Sequence, residues 1–496
     1  MGWAIHSQNK SLLGRTFPTG AAAGLCLCVL SSVMGRAQDT ATLAAVEQAA
    51  VRSQQVPPAL QAPGIDPAKP YTLAELIDMA EQSNPKGRIA WEHAKQTAEH
   101  YGIARDFYLP VLVSNTLFAD ERIINPFPKP LAPRGYVMVE IPTVQPQAQL
   151  SYLLFDFGGR EAKVDAAAAA RLQGSATLLR VNQDIAFQVS EAYYRVLTAE
   201  GRLRATDEIL QAARTVQDAA EQQLKNGRST LPDVLNARAA TAQAAYEREN
   251  ADGDLRSSKV LLREAIGAEP SPEIEILDDG SKALPEALNS SIEELIGQAF
   301  ADRPDLLVRA QEVRVAHDEV RQAKAAYLPS IGLEGAAAQT SMWPTVDYGQ
   351  LGNVSQTTWS GSLNIRWEIF NRARKHEDAI AASLERQAGD ELRESKDAVT
   401  RDVWNAYISY QTAQRRNVAA TALLDAANLS YTSSLDAYRY GVKNLIDVVS
   451  AQQQLAQAKL ACVQARSDVL LDAIAVDYST GVLLRTGNKT AAGVSK

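Results

Sequence analysis

The chain has 496 residues, a formal net charge of −8 and a hydrophobic fraction of 46%. That composition suits a folded chain and excludes a disordered acidic one. There is no basic excess, so nucleic acid is a poor candidate for a partner.

Residues 1–37 hold Lys10, Arg15 and Arg36 and no acid, so without them the net charge becomes −11. They read as a signal peptide. Lys10 and Arg15 supply a positive start, Ala21 to Leu30 an apolar core, and Gly35-Arg36-Ala37 the small residues that precede cleavage, expected before Gln38. The apolar run is too short to span a bilayer comfortably. Cys26 and Cys28 both follow leucine rather than the small residue of a lipidation site, so lipidation is the weaker reading. If both leave with the signal, Cys462 is the last cysteine and no intramolecular disulfide can form. No other segment has about 18 consecutive apolar residues. An exported chain of this kind is periplasmic, secreted, or an outer-membrane barrel.

Residues 38–70 are rich in Ala, Gln and Pro and read as an extended lead-in. The rest of the chain is duplicated. Asn84-Pro85 and Tyr108-Leu109-Pro110 recur 219 residues later as Arg303-Pro304 and Tyr327-Leu328-Pro329. Gly227, Asp233, Ala237, Gln243 and Gly267 recur 214 residues later as Gly441, Asp447, Ala451, Gln457 and Gly481. A period this long is not a solenoid repeat. Repeat 1 covers residues 71–267, an acid- and proline-rich connector covers 268–290, repeat 2 covers 291–481, and a flexible tail covers 482–496.

In repeat 1 a helix opens at Thr72, with Glu75 completing a capping box. With a break near Asn84-Pro85, the helical stretch runs to Tyr108 and stops at Pro110. Residues 159–227 contain no proline and predict one very long helix, and the tip at 227–232 breaks it before a second helix to Ile266. Repeat 2 predicts a helix from Ser291 to Tyr327, a long helix from Arg374 to Tyr440, a tip at 441–446 and a helix from Leu445 to Tyr478. The long helix of each repeat spans ~100 Å, and the two shorter ones laid end to end span about the same.

Between helices each repeat carries a non-helical insert, at about 111–157 and about 330–370. Each contains a period-2 run. Val144, Ala148, Leu150, Tyr152 and Leu154 alternate with glutamines and a serine, and Trp359, Leu363, Ile365, Trp367 and Ile369 alternate with Ser360, Ser362, Asn364, Arg366 and Glu368. Runs of this length match a tilted membrane-spanning strand of ~9–11 residues. An apolar outer face and a polar inner face make the wall of a water-filled barrel. Trp343, Trp359 and Trp367 suit an interfacial aromatic girdle. A half-buried soluble sheet alternates in the same way, but it needs an apolar layer to cover it, and these helices are poor in apolar surface. Two hairpins give four strands, too few to close, so the chain is expected to oligomerise.

Several landmarks occur twice and in the same order: the Tyr-Leu-Pro segments before the hairpins, the exits at Leu154–Arg160 and Ile369–Arg372, and the tips at Gly227–Ala237 and Gly441–Ala451. With them the chain resembles the TolC-like outer-membrane efflux protein family over nearly all of residues 71–481. The resemblance implies a mainly α fold with a transmembrane β-barrel. Two-repeat protomers would form a homotrimer, with a 12-strand barrel in the outer membrane on a 12-helix periplasmic tunnel. It implies an exit duct for small-molecule efflux or for secretion. The helical tips, at Gly227, Arg228, Gly441 and Val442, would dock a periplasmic adaptor (a membrane fusion protein) that joins the duct to an inner-membrane transporter. It also implies a closed pore ringed by Asp447, with Tyr438 and Lys443 bonding across to the first-repeat tip, where Asp233 matches the acidic partner. Ser450 stands where many relatives place a second acid.

Other chemistry is poorly supported. There is no P-loop, HExxH or G-x-S-x-G motif. His93 and His100 share a helix face without a carboxylate or thiol cluster, and the five methionines are scattered, so neither a metal site nor a cofactor is expected. Asp278-Asp279 falls in the connector and reads as solvated charge. An enzyme is not expected. A periplasmic coiled-coil scaffold without a pore is the alternative, and the strand alternation argues against it.

Overall fold

The computed structural model describes residues 64–66, 69–277, 284, 290–347 and 349–484. The expected signal peptide, most of the lead-in, much of the connector and residues 485–496 of the tail lie outside the described residues.

Each repeat is a long helix flanked by shorter ones. In repeat 1 these are α1 (Leu73–Ser83), α2 (Pro85–Asp106), α3 (Gly159–Lys225) and α4 (Leu231–Ile266). In repeat 2 they are α5 (Ile292–Asp302), α6 (Pro304–Ala325), α7 (Ala373–Arg439) and α8 (Leu445–Ser479). Both α3 and α7 have 67 residues, which is ~100 Å of helix. The capping boxes form at equivalent sites, Thr72 with Glu75 and Ser291 with Glu294.

The helical stretch before each hairpin is two helices, as expected for repeat 1 but not for repeat 2, where a single helix was expected. Asn84 and Arg303 sit in extended conformation before a proline, which disfavours the helical region for the residue ahead of it. The break in repeat 2, at Arg303-Pro304, was not foreseen. Each break receives the end of another helix. Ser83 Oγ donates to Ile266 O (2.8 Å) and Asn84 Nδ2 to Ala265 O (2.9 Å), so they satisfy the last carbonyls of α4. The Arg303 guanidinium does the same for α8 through Ser479 O (3.3 Å). It is 6% exposed and held by Asp305 (2.6 Å) and Asp402 (3.5 Å).

Part of the connector is ordered into the fold. Glu275–Ile276 (β4) pairs in parallel with Pro70–Tyr71 (β1), beside the apolar cluster of Leu76, Ile185, Val189 and Ile266. A matching cluster in repeat 2 uses Leu295, Val399, Val403, Tyr410 and Val469. At the far end all four of α3, α4, α7 and α8 share one core around Val216, Val234, Tyr431 and Val448. The protomer is thus cored at mid-length and at the tips.

The sheet contains four long strands: β2 (Val111–Pro126), β3 (Tyr136–Phe155), β5 (Ser330–Met342) and β8 (Val354–Arg366). Two short pieces, β6 (Thr345–Val346) and β7 (Gly349–Gln350), extend it beside β3. All pairings are antiparallel, in the order β2-β3-β5-β8 for the long strands. Among the described residues, β2 and β8 each keep one edge unpaired. Arg160 and Arg374 anchor the sheet to the helices. Arg160 Nη1 donates to Leu153 O (2.7 Å) and Phe107 O (3.3 Å), and Arg374 Nη1 to Glu368 O (3.0 Å).

The strand expected at 359–369 ends instead at Arg366. Arg374 binds both the carbonyl and the carboxylate of Glu368, and Trp367 Nε1–H donates to Tyr327 O, so the chain leaves the ladder there. Among the described residues no helix is long and apolar enough to cross a membrane.

Candidate functional site

Register decides what each face of the sheet presents. Ile331 opposes Ile365, Leu333 opposes Leu363, and Ala337 opposes Trp359, all on one face. Tyr152, Leu150 and Ala148 of β3 continue it, followed by Leu112 of β2. The other face carries Glu334 opposite Ser362, Ala336 opposite Ser360 and Ala338 opposite Thr358, then Gln147, Gln149 and Ser151. The first face fits lipid and the second a water-filled lumen.

Trp359 lies on the lipid face of β8, opposite Ala337, and is exposed. Trp367 lies one residue beyond the end of β8, where the chain has left the ladder. Trp343 lies beyond β5, with its backbone N–H on Pro142 O (3.1 Å). β2 is less regular, as its mixture of Val111, Val113 and Leu117 with Asn115 on one face shows.

The opposite end of the molecule is the pair of helical tips, which have the same backbone. Gly227 (φ +72°) and Gly441 (φ +77°) take the left-handed conformation that ends a helix. Gly227 N–H donates to Leu224 O and Arg228 N–H to Gln223 O, while Gly441 N–H donates to Tyr438 O and Val442 N–H to Ala437 O. Around them Tyr440, Val442 and Ile446 of one tip and Leu231 and Leu235 of the other are exposed.

The two tip aspartates differ. Asp233 is committed to its own helix: its carboxylate accepts from Thr230 N (3.0 Å), Thr230 Oγ (2.6 Å) and Ser229 Oγ (3.2 Å). The Thr230 hydrogen bonds hold its carboxyl below the usual range. Asn444, the equivalent of Thr230, makes no side-chain cap. Asp447 is therefore left exposed, with its backbone N–H on Asn444 O (3.2 Å) and its carboxylate not drawn into a helix cap.

Lys443 donates to Ser434 Oγ (3.0 Å) on α7, and within the protomer it makes no ion pair with Asp233. Tyr438 does reach the first-repeat tip. Its hydroxyl is buried without a well-formed hydrogen bond, and burial raises the phenol's pKa, with Ser229 and Asp233 as neighbouring groups. Sequence reasoning missed the cap on Asp233, although Thr230-Leu231-Pro232-Asp233 has the spacing of a capping box. It had no signal for Ser434 as the partner of Lys443.

The family model for outer membrane efflux proteins matches residues 142–268 and 295–482. The chain belongs to that family. Protein CyaE of Bordetella pertussis is 27% identical over 489 residues, covering 95% of this chain and 96% of that protein. The outer membrane efflux protein BepC of Brucella suis is 26% identical over 335 residues, 67% of this chain and 71% of BepC. The fold is that of a membrane protein from Pseudomonas aeruginosa, with a TM-score of 0.72 at 21% identity over 86% of this chain and 100% of that one. As an outer membrane efflux protein, this chain is an outer-membrane channel protein whose sheet lies in the membrane and whose helices extend into the periplasm. The apolar and polar faces of the sheet are accordingly its lipid and lumen faces.

Proposed function

We propose that three copies of this chain form an exit duct that receives its cargo from an inner-membrane transporter through a periplasmic adaptor. The observation that carries the proposal is the unfinished sheet. Its four long strands leave β2 and β8 with open edges, and open edges inside a bilayer leave backbone groups unsatisfied. Pairing β8 of one copy with β2 of the next gives a 12-strand barrel. Four helical rods per copy then continue it as a 12-helix tunnel. The periplasmic mouth is closed by a ring of Asp447, the tip carboxylate without a cap, with Tyr438 reaching the first tip and Lys443 tying the second tip to α7. Asp233 fixes the start of α4 and supplies the negative field that Tyr438 faces.

The exposed apolar residues beside Gly227, Arg228, Gly441 and Val442 form the adaptor-docking surface. In cells the protein is expected in the outer-membrane fraction, migrating as a trimer in mild detergent. A cysteine at position 442 is expected to crosslink to a periplasmic protein, and Gly441→Trp to keep the trimer but lose export. A monomer, or wild-type export from the trimeric Gly441→Trp protein, would count against the trimer or the docking surface respectively. Because Gly441 has positive φ, Gly441→Asn is the stability control, since Asn tolerates that conformation.

A further inference from the structure

A cavity of about 370 Å³ lies at the seam where the strands end and the helices begin, between the ends of β3, β5 and β8 and those of α3, α6 and α7. The register fixes its side of the wall. Ser330 pairs with Arg366 and Leu153 with Gly332, in step with Glu334 and Ser362 on the polar face. Leu153, Ser330 and Arg366 all line the cavity, so it opens on the lumen side.

Four cationic side chains line it, Arg160, Lys163, Arg366 and Arg374, against two carboxylates, Asp156 and Glu368. Both carboxylates are engaged. Glu368 holds Arg374 at 2.7 Å, and Asp156 accepts from the backbone N–H of Arg160 at 2.5 Å. Lys163 and Arg366 make no ion pair among the described residues. The Lys163 ammonium lies 3.9 Å from the centroid of the Phe107 ring, a contact that positions a charge without cancelling it. Arg160 spends Nη1 on the carbonyls of Leu153 and Phe107, and its Nε is buried with no hydrogen-bond partner. Both α3 and α7 begin at this level, and the positive ends of their dipoles add to the field.

We propose that this cavity binds a phosphate-type oxyanion carried by a solute in the lumen. Its two positive charges in excess match a phosphate monoester, which carries roughly −1.5 to −2 at pH 7. The guanidinium of Arg366 suits two of the oxygens, the ammonium of Lys163 acts as a point charge, and Nε–H of Arg160 is a donor in want of an acceptor. Phe107, Ala325 and Leu328 give the cavity apolar walls, which focus the field of its cations. On the trimeric-duct reading, three such sites ring the waist where the helical tunnel enters the barrel. The ring is opposite in sign to the Asp447 mouth, so it holds anionic solutes that have passed the tips.

The test is titration calorimetry of the purified full chain in detergent with inorganic phosphate, at constant ionic strength set by chloride. Wild-type protein is expected to bind, and Lys163→Gln combined with Arg366→Gln to weaken binding by about tenfold or more. Arg122→Gln, which removes a cation paired with Glu140 away from the cavity, is expected to bind as the wild type does. No binding by the wild type, or equal loss from Arg122→Gln, would overturn the site. If the double variant fails to fold, Lys163→Gln alone, a change at an exposed position, is expected to weaken binding by about threefold or more, and unchanged binding would overturn the site. A second arm adds phosphatidylglycerol to the same detergent and follows the melting temperature. A rise with that lipid that the double variant loses, without any response to inorganic phosphate, would assign the cavity to a lipid headgroup and overturn the lumen-side proposal. Binding of phosphate by a protein that is monomeric would overturn the trimeric duct and leave the site standing.

Discussion

Replacing Leu363 with arginine places a charge at the centre of the lipid face. Leu363 lies between Trp359 and Ile365 on the apolar face of β8 and opposes Leu333 on β5. It is 62% exposed in the protomer, as a lipid-facing side chain must be. An arginine at the midplane of a barrel's outer face costs ~2–4 kcal/mol, hence ~6–12 kcal/mol over three copies, comparable to the whole stability of a typical domain. The neighbouring Ser362 faces the lumen and opposes Glu334. Ser362→Arg sets opposite charges directly across the strands, which favours the fold by roughly 0.2–1 kcal/mol. The assay is the urea midpoint for trimer loss, followed by mild-detergent electrophoresis of protein refolded into vesicles. Leu363→Arg is expected to assemble poorly or not at all, and Ser362→Arg to match or exceed the wild type. Equal loss from both, or from neither, would refute the assignment of the two faces.

At the tips, Lys443→Ala removes the tether to Ser434; at about 1 kcal/mol per copy the open state should gain on the order of a hundredfold, seen as larger and more frequent openings in planar bilayers. Asp447→Ala should relieve block by a trivalent cation added on the periplasmic side by roughly tenfold or more, whereas Asp233→Ala, which removes a helix cap, should cost ~0.5–2 kcal/mol of tip stability instead. At mid-length, Gly267 has φ +83° and an added Cβ would lie 2.8 Å from Asn84 Cα, so Gly267→Ala should lose ~2 kcal/mol or more in a denaturation series; Gly227→Asn, in the same conformation but in open space, should lose under ~1 kcal/mol. Acid should loosen the same region. Burial pushes the Asp305 carboxyl up, but its hydrogen bonds and charge contact with Arg303 prevail and hold it below the usual carboxylate range. A depressed carboxylate stabilises fully above its unfolded value and loses that contribution as pH falls through its folded value, so Asp305→Asn should flatten the acid limb of the stability profile below about pH 4.

Much of this architecture is legible along the chain because it is periodic or punctuated. Alternation over 144–154 marks a strand of the wall, the long proline-free runs mark α3 and α7, and Gly227 and Gly441 end them, because one side chain or its absence decides the local backbone. Where pattern gave way to partner, local signals ran out. Trp367 to Ile369 continue the alternation but leave the sheet, because Arg374 binds Glu368. Arg303 offers no local sign that it will satisfy Ser479, 176 residues away, in place of the serine and asparagine that serve repeat 1. Asp233 and Asp447 occupy the same position of the repeat, and only their neighbours separate them. Thr230 draws the first into a helix cap, while Asn444 leaves the second exposed. Propensity and periodicity act over a few residues and are written in order along the chain. Ion pairs, caps and layers join residues that only folding brings within reach, so the tertiary structure decides which charge is free and which face turns inward.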